Sequence, residues 1–201
     1  MTTKFCKQII VTLIVTLLFG GNLVMAQQAV ESNPGQITVG NTRFTVISSQ
    51  CIRMEYAPEH GFTDCPTLFA INRDARFEST KIVYRDKMVI IDTGKLRLVY
   101  RPDGQPFNAQ NLTVSFNHNG KKVIWTPGMT NKENLRGPVA TLDGVAGPIP
   151  LPDGLLSRDG WYVIDDTGKP VLKDGWIAPR QSSTDIDWYF FAYGSDYKSA
   201  M

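Results

Sequence analysis

From Ile37 onward this chain is written in period two. In "CIRMEYA", Ile52, Met54 and Tyr56 face one way, and Arg53 and Glu55 the other. In "RFTVIS", Phe44, Val46 and Ser48 alternate with Thr45 and Ile47. The runs "KIVYRD", "KMVIID" and "KLRLVY" follow in quick succession. Successive side chains of a strand point to opposite faces, so such runs make half-buried antiparallel strands, with one face inward and one outward. Turn residues separate them: Asp92-Thr93-Gly94, Asn119-Gly120 and "DDTGK" at 165–169. Asn-Gly suits a two-residue hairpin because both central residues take positive φ. No convincing amphipathic helix interrupts the pattern before the last few residues. The reading is all-β, an antiparallel β-sandwich.

The last strand-like run, "DWYFFAY", is apolar on both sides. Trp188, Phe190 and Ala192 oppose Tyr189, Phe191 and Tyr193. That predicts a central strand covered on both faces.

The first 26 residues differ in kind. Lys4 and Lys7 precede the apolar run "IIVTLIVTLLFGG", and Val24 and Ala26 stand before "QQ". A short basic region, an apolar core and small residues at a cut site describe a secretory signal peptide cleaved after Ala26. The run is short for a membrane span, which takes about 20 residues. No stable membrane anchor is expected after cleavage, and the product is exported, to the periplasm or the medium. Residues 27–35 read as a short linker, 36–194 as the sandwich domain and 195–201 as the start of a helix.

Cleavage changes the charge. The precursor carries 21 basic and 19 acidic residues; losing Lys4 and Lys7 leaves 19 against 19. No basic face for nucleic acid is implied. Cys6 leaves with the signal. Cys51 and Cys65 could close a bridge around a loop of about 15 residues, worth about 3 kcal/mol. The preferred reading is two partly buried thiols. Two cysteines and two histidines without ligand spacing argue against a structural zinc site, and no cofactor is expected.

Nine of the twelve prolines lie between Pro102 and Pro179. The stretch from Thr126 to Trp161 is too long for an idle connection, and its leucines, valines and tryptophan argue against disorder. It reads as an ordered excursion that packs against something.

Acids are plentiful: Asp143, Asp153, Asp159, Asp165, Asp166, Asp174, Asp185 and Asp187. Glycoside cleavage needs two of them about 5–5.5 Å apart for retention, and wider for inversion. Asp153, Asp166 and Asp174 stand at or near glycines, where Asp side chains close turns. Asp165 and Asp166 are neighbours at a strand end and point apart. No acid–base pair is expected here. Ser157 lacks a nucleophile elbow. His60 and His118 fall at turns and read as solvated. Asn111-Leu112-Thr113 matches a glycosylation acceptor. Trp125, Trp161 and Trp176 could stack on sugar rings, but aromatics in such runs more often fill a core.

Together, "ENLRGPVATLDGVAGPIPLPDGLLSRDGWYVIDDTGKPVL" and "DWYFFAYGSDYKSAM" resemble the N-terminal domain of glycoside hydrolase family 31, the α-glucosidase and α-xylosidase family. The pieces "TLDG", "GLLSRDGW", "DD" and "FAYGSDYK" stand in the family's order. "CIRMEYAPEHGFTDCPTLFAINR" is similar to its early strand and following segment. The likeness covers residues 36–201.

The resemblance implies a galactose-mutarotase-like sandwich ahead of a (β/α)₈ barrel, with both catalytic aspartates on the barrel and a retaining mechanism. No segment here resembles those barrel motifs, so the last residues read as a connector helix into a barrel absent from this chain. The resemblance assigns Asp143, Arg158, Asp159 and Trp161 to the pocket-facing loop and the barrel interface. One departure stands out. The family's Gly-Gly-Thr-x-Arg before "TLDG" is replaced here by Arg136, Gly137, Pro138, Val139 and Ala140. The implied function is a non-catalytic domain of an exported α-glycosidase, its substrate an α-glycoside handled by the parent enzyme. The alternatives are a free-standing carbohydrate-binding module, or a remnant that pairs with a separate barrel chain.

Overall fold

The computed structural model describes residues 30–59, 61–138, 141, 143–180 and 185–201. The signal peptide and its cut site, Cys6, His60, Val139 and Ala140 lie outside the described residues.

Thirteen strands are described: β1 (Val30–Asn33), β2 (Gln36–Val39), β3 (Thr42–Ser48), β4 (Cys51–Tyr56), β5 (Lys81–Arg85), β6 (Met88–Asp92), β7 (Leu96–Tyr100), β8 (Leu112–His118), β9 (Lys121–Trp125), β10 (Tyr162–Asp165), β11 (Val171–Lys173), β12 (Trp176–Ala178) and β13 (Ile186–Phe191). One short helix, α1 (Tyr197–Ala200), closes the series. Its N-cap Asp196 accepts from the Ser199 amide. Strand β1 occupies part of the segment read as a linker, because Val30–Asn33 pair with β2 as an exposed edge hairpin.

The strands form a six-stranded antiparallel sheet ordered β1-β2-β3-β4-β13-β10, a five-stranded meander β5–β9 and the separate hairpin β11-β12. The two large sheets pack face to face as a β-sandwich. Their inner faces meet in one apolar core: Phe44, Ile52, Met54 and Phe190 from the first, and Ile91, Leu98, Leu112 and Val114 from the second, all fully buried. Each such side chain contributes about 1.5–3 kcal/mol by leaving water. Aromatic contacts cross the gap: Phe44 meets Tyr100 at 5.2 Å, and Trp125 meets Phe190 at 4.7 Å.

The alternation reads through directly. In β7, Leu96, Leu98 and Tyr100 are buried while Arg97 is exposed. The β8–β9 turn has Asn119 and Gly120 at φ 50° and 73°, as a tight hairpin requires.

The middle strands of the six-stranded sheet, β3, β4 and β13, are buried on their other face too. The segment after β4, residues 57–80, and the hairpin β11-β12 lie over it as an outer layer. Thr67 bridges Val171, the Leu172 amide bonds to Pro66 O, and Phe69 meets Tyr189 at 5.0 Å. β13 is therefore covered on both sides, Phe190 by the core and Tyr189 by this layer.

Candidate functional site

The excursion between β9 and β10 folds into an arm of two antiparallel limbs. The Leu135 amide donates to Leu156 O at 2.9 Å, Arg158 N to Glu133 O at 2.9 Å, and Gly137 N to Pro152 O at 3.2 Å. Asn134 holds the other limb through both ends of its amide, accepting from Gly154 N and donating to Gly154 O. Val145 and Ile149 on the outer part, and Met129 and Leu135 nearer the root, expose 40–45% of their surface.

The four residues assigned by resemblance fall at different places on this arm. Asp143 is exposed on the outer part. Arg158 is exposed at the root, engaged through its backbone. Asp159 binds the opposite limb: its Oδ2 accepts from the amides of Lys132 (2.7 Å) and Glu133 (3.0 Å). Trp161 is not at a surface at all. It is 5% exposed and stacks on Phe190, ring planes 11° apart. Trp161 and Trp125 are core residues, because the sandwich end needs large side chains to close it. Of the three tryptophans considered as sugar platforms, Trp176 alone presents its ring. It is 79% exposed near the tip of the β11-β12 hairpin, with Ile177 beside it.

The outer face of the six-stranded sheet carries chemistry that the sequence reading placed in solvent. Arg43, Arg53, Arg73 and Arg180 meet Glu55, Asp64, Asp166 and Asp187 there, and all but Asp64 are largely buried. Arg53 grips Asp187 with two hydrogen bonds, Nε at 2.8 Å and Nη2 at 3.0 Å. Asp187 Oδ2 also accepts from Arg73 (2.8 Å) and Arg180 (2.9 Å). Arg43 forks onto Glu55 at 2.7 and 2.9 Å and reaches Asp64 at 2.6 Å. Arg73, Arg180 and Thr67 converge on Asp166 Oδ2. Asp166 is thus an ion-network member as well as a turn residue.

Burial works to raise the Asp187 pKa, but the hydrogen bonds and charge of Arg53 and then Arg73 outweigh it and hold the group well below the usual carboxylate range. Burial raises Glu55, with Arg53 and Arg43 opposing. Glu55 and Asp187, each buried and bound to two or more arginines, act as a fastening for the layer above them.

Two further expectations, on Asn111 and His118, are corrected, while the preferred reading of Cys51 and Cys65, with no bridge between them, agrees with the structure. Asn111 is 3% exposed, and its side-chain amide donates to Asp103 and Pro106 O, so the sugar-acceptor nitrogen is spent inside the fold. No disulfide joins Cys51 and Cys65. The segment carrying Cys65 is anchored further along the sheet, by Thr63 on Arg53 and Asp64 on Arg43. Burial pushes the Cys51 thiol up to about 12, so it stays protonated and inert. His118 is only partly solvated: its Nδ1 is buried and its Nε2 lies 2.9 Å from Arg158 O. Among the described residues no group of His, Cys, Asp and Glu could hold a metal, and no helix is long and apolar enough to cross a membrane.

Fold and site define an antiparallel β-sandwich bearing a projecting arm and an ion-clasped outer layer. No protein-family model and no curated protein matches the chain. Among solved structures it is similar to a GH31 α-xylosidase from a soil metagenome complexed with xylose, at 14% identity and a TM-score of 0.38. The match covers 85% of this chain and 32% of that one, so the chain spans about a third of that protein's length.

Proposed function

We propose that this chain is the exported N-terminal sandwich of a family 31 glycoside hydrolase, shaping the substrate pocket and supporting the barrel without performing chemistry. One observation carries the reading. The spaced pieces "TLDG" and "GLLSRDGW", which bear the family likeness, fall on a single projecting arm whose limbs are locked by Asn134 and Asp159. A rooted arm with exposed apolar side chains suits a surface that completes another domain's pocket. Of the acids that could have suggested chemistry, Asp166 and Asp187 are bound to buried arginines, and Asp159 to the amides of Lys132 and Glu133. The parent would hydrolyse α-glycosides with retention, using carboxylates of its barrel.

The test has two parts. The coding sequence read past the Met201 codon is expected to continue into alternating strands and helices; an immediate stop codon speaks against the domain reading. The purified chain is expected to leave chromogenic α-xylosides and α-glucosides untouched. Turnover that disappears on Asp143→Asn or Asp153→Asn would overturn the proposal.

The exposure of Trp176 favours a second reading, a carbohydrate-binding module with that ring as its platform. Binding of an α-glucan by the chain alone, lost in Trp176→Ala, distinguishes it; flat heats across a sugar panel exclude it.

A further inference from the structure

Three distant segments cross at the root of the arm: the β8–β9 turn, residues 157–161 and residues 192–196. Tyr193 Oη accepts from Ser157 N at 2.6 Å and donates to Leu155 O at 2.8 Å, and Gly194 N donates to Gly160 O at 2.8 Å. The imidazole of His118 lies against this crossing. A Cβ at Gly160 would sit 2.7 Å from His118 Nδ1 and 2.9 Å from Gly194 Cα, and both glycines hold positive φ, 77° and 61°. Only glycine fits where the ring and two backbones meet.

We infer that His118, as the neutral tautomer with its proton on Nε2, is the positioning residue that fixes the arm's root, and with it Arg158 and Asp159, against the C-terminal segment. Arg158 O can only accept, so a proton on Nε2 is needed to make the 2.9 Å contact a hydrogen bond. The other tautomer would aim a lone pair at that carbonyl. It would also place an N–H at Nδ1, which is buried without a hydrogen-bond partner and abuts the two glycines.

Asn119 lies between the ring and the C-terminal segment, its Nδ2 3.0 Å from Nε2 and its Oδ1 accepting from Ser195 Oγ at 2.8 Å. Turning that amide end for end puts its oxygen beside the single Nε2–H, which Arg158 O and Asn119 Oδ1 then share, and lets its NH₂ donate to Ser195 Oγ.

Amide hydrogen exchange and imidazole ¹⁵N shifts of the chain test this, and neither needs a sugar or a second domain, so the outcome is independent of the glycosidase reading. The ¹⁵N shifts are expected to show the proton on Nε2; a proton on Nδ1 overturns the inference. In His118→Ala, the amides of Leu135, Gly137, Arg158, Gly160 and Gly194 are expected to exchange about tenfold faster, while those of β6 and β7 do not change. In His118→Gln, whose amide can still donate to Arg158 O, protection of the arm is expected to return. Uniform acceleration across the fold, an arm unaffected by alanine, or no rescue by glutamine each overturns it. Gly160→Ala, which drives a methyl into the ring, is expected to loosen the same amides; an arm as protected as the wild type's there overturns it too.

Discussion

Strand β4 has two faces, and both are buried. On one, Ile52, Met54 and Tyr56 enter an apolar core; on the other, Cys51, Arg53 and Glu55 lie under the outer layer, with Arg53 and Glu55 each 2% exposed. The inner face excludes water by shape, and every contact there is weak and non-directional. The outer face holds its layer by a few directed contacts among charges, which offset their desolvation only while each partner is present. A core of the first kind tolerates small losses gradually. A clasp of the second kind fails at single atoms.

The largest expected effects put the two faces side by side. Phe44→Ala removes a fully buried ring that packs on Tyr100 and Phe107 and is expected to cost about 3–5 kcal/mol in urea unfolding. Asp187→Ala leaves Arg53, Arg73 and Arg180 in the dry outer face each short of one carboxylate, Arg53 keeping Glu55 and the other two Asp166, and a similar loss of about 3–5 kcal/mol is expected. A loss under about 1 kcal/mol for Asp187→Ala would break the comparison and make the outer layer a solvated surface.

Acid should separate the faces next. The folded pKa of Asp187 lies below its unfolded value, so its contribution is complete above about pH 4, the ordinary carboxylate value, and is lost as pH falls toward the folded one. Glu55 is shifted the other way, so its protonation favours the folded state and partly offsets that loss. Urea midpoints are expected to fall below about pH 4, with protection lost first in the 57–80 layer while the amides of β7 and β8 hold. Simultaneous loss in both regions would show that the layer has no separate stability.

The smallest effect sharpens the rule. Asp64 also contacts Arg43, but its side chain is 62% exposed, so Asp64→Ala is expected to cost less than about 1 kcal/mol. A cost near that of Asp187→Ala would mean that burial is not what gives the clasp its strength.

Much of this was legible in the chain. The strand runs, the Asn119-Gly120 turn, the double-sided apolar β13 and the ordered excursion all follow from local pattern. Where the reading went astray, it assigned surroundings from the pattern alone. Arg53 and Glu55 do point away from the core, yet a layer from 57–80 covers them. Trp161 stands in a strand-like run whose aromatics were expected to fill a core, as it does; it was the resemblance that placed it at the barrel interface. Asn111 matches an acceptor triplet, yet its amide is spent on Asp103. His118 stands beside a turn, yet two glycines from elsewhere in the chain crowd the Nδ1 edge of its ring. Glycines 160 and 194 were a usable hint, since positive φ at both permits so close a crossing.

The sequence by itself determined which way each side chain points along its strand, because that depends only on the two-residue repeat of an extended backbone. It determined the hairpins for the same reason, since their turn residues act on their own φ angles. Only the tertiary structure decided what each side chain meets. Arg53 finds Asp187 134 positions away, and no local pattern encodes a partner at that range. Whether an outward charge meets water or a counter-charge depends on where the rest of the chain comes to lie.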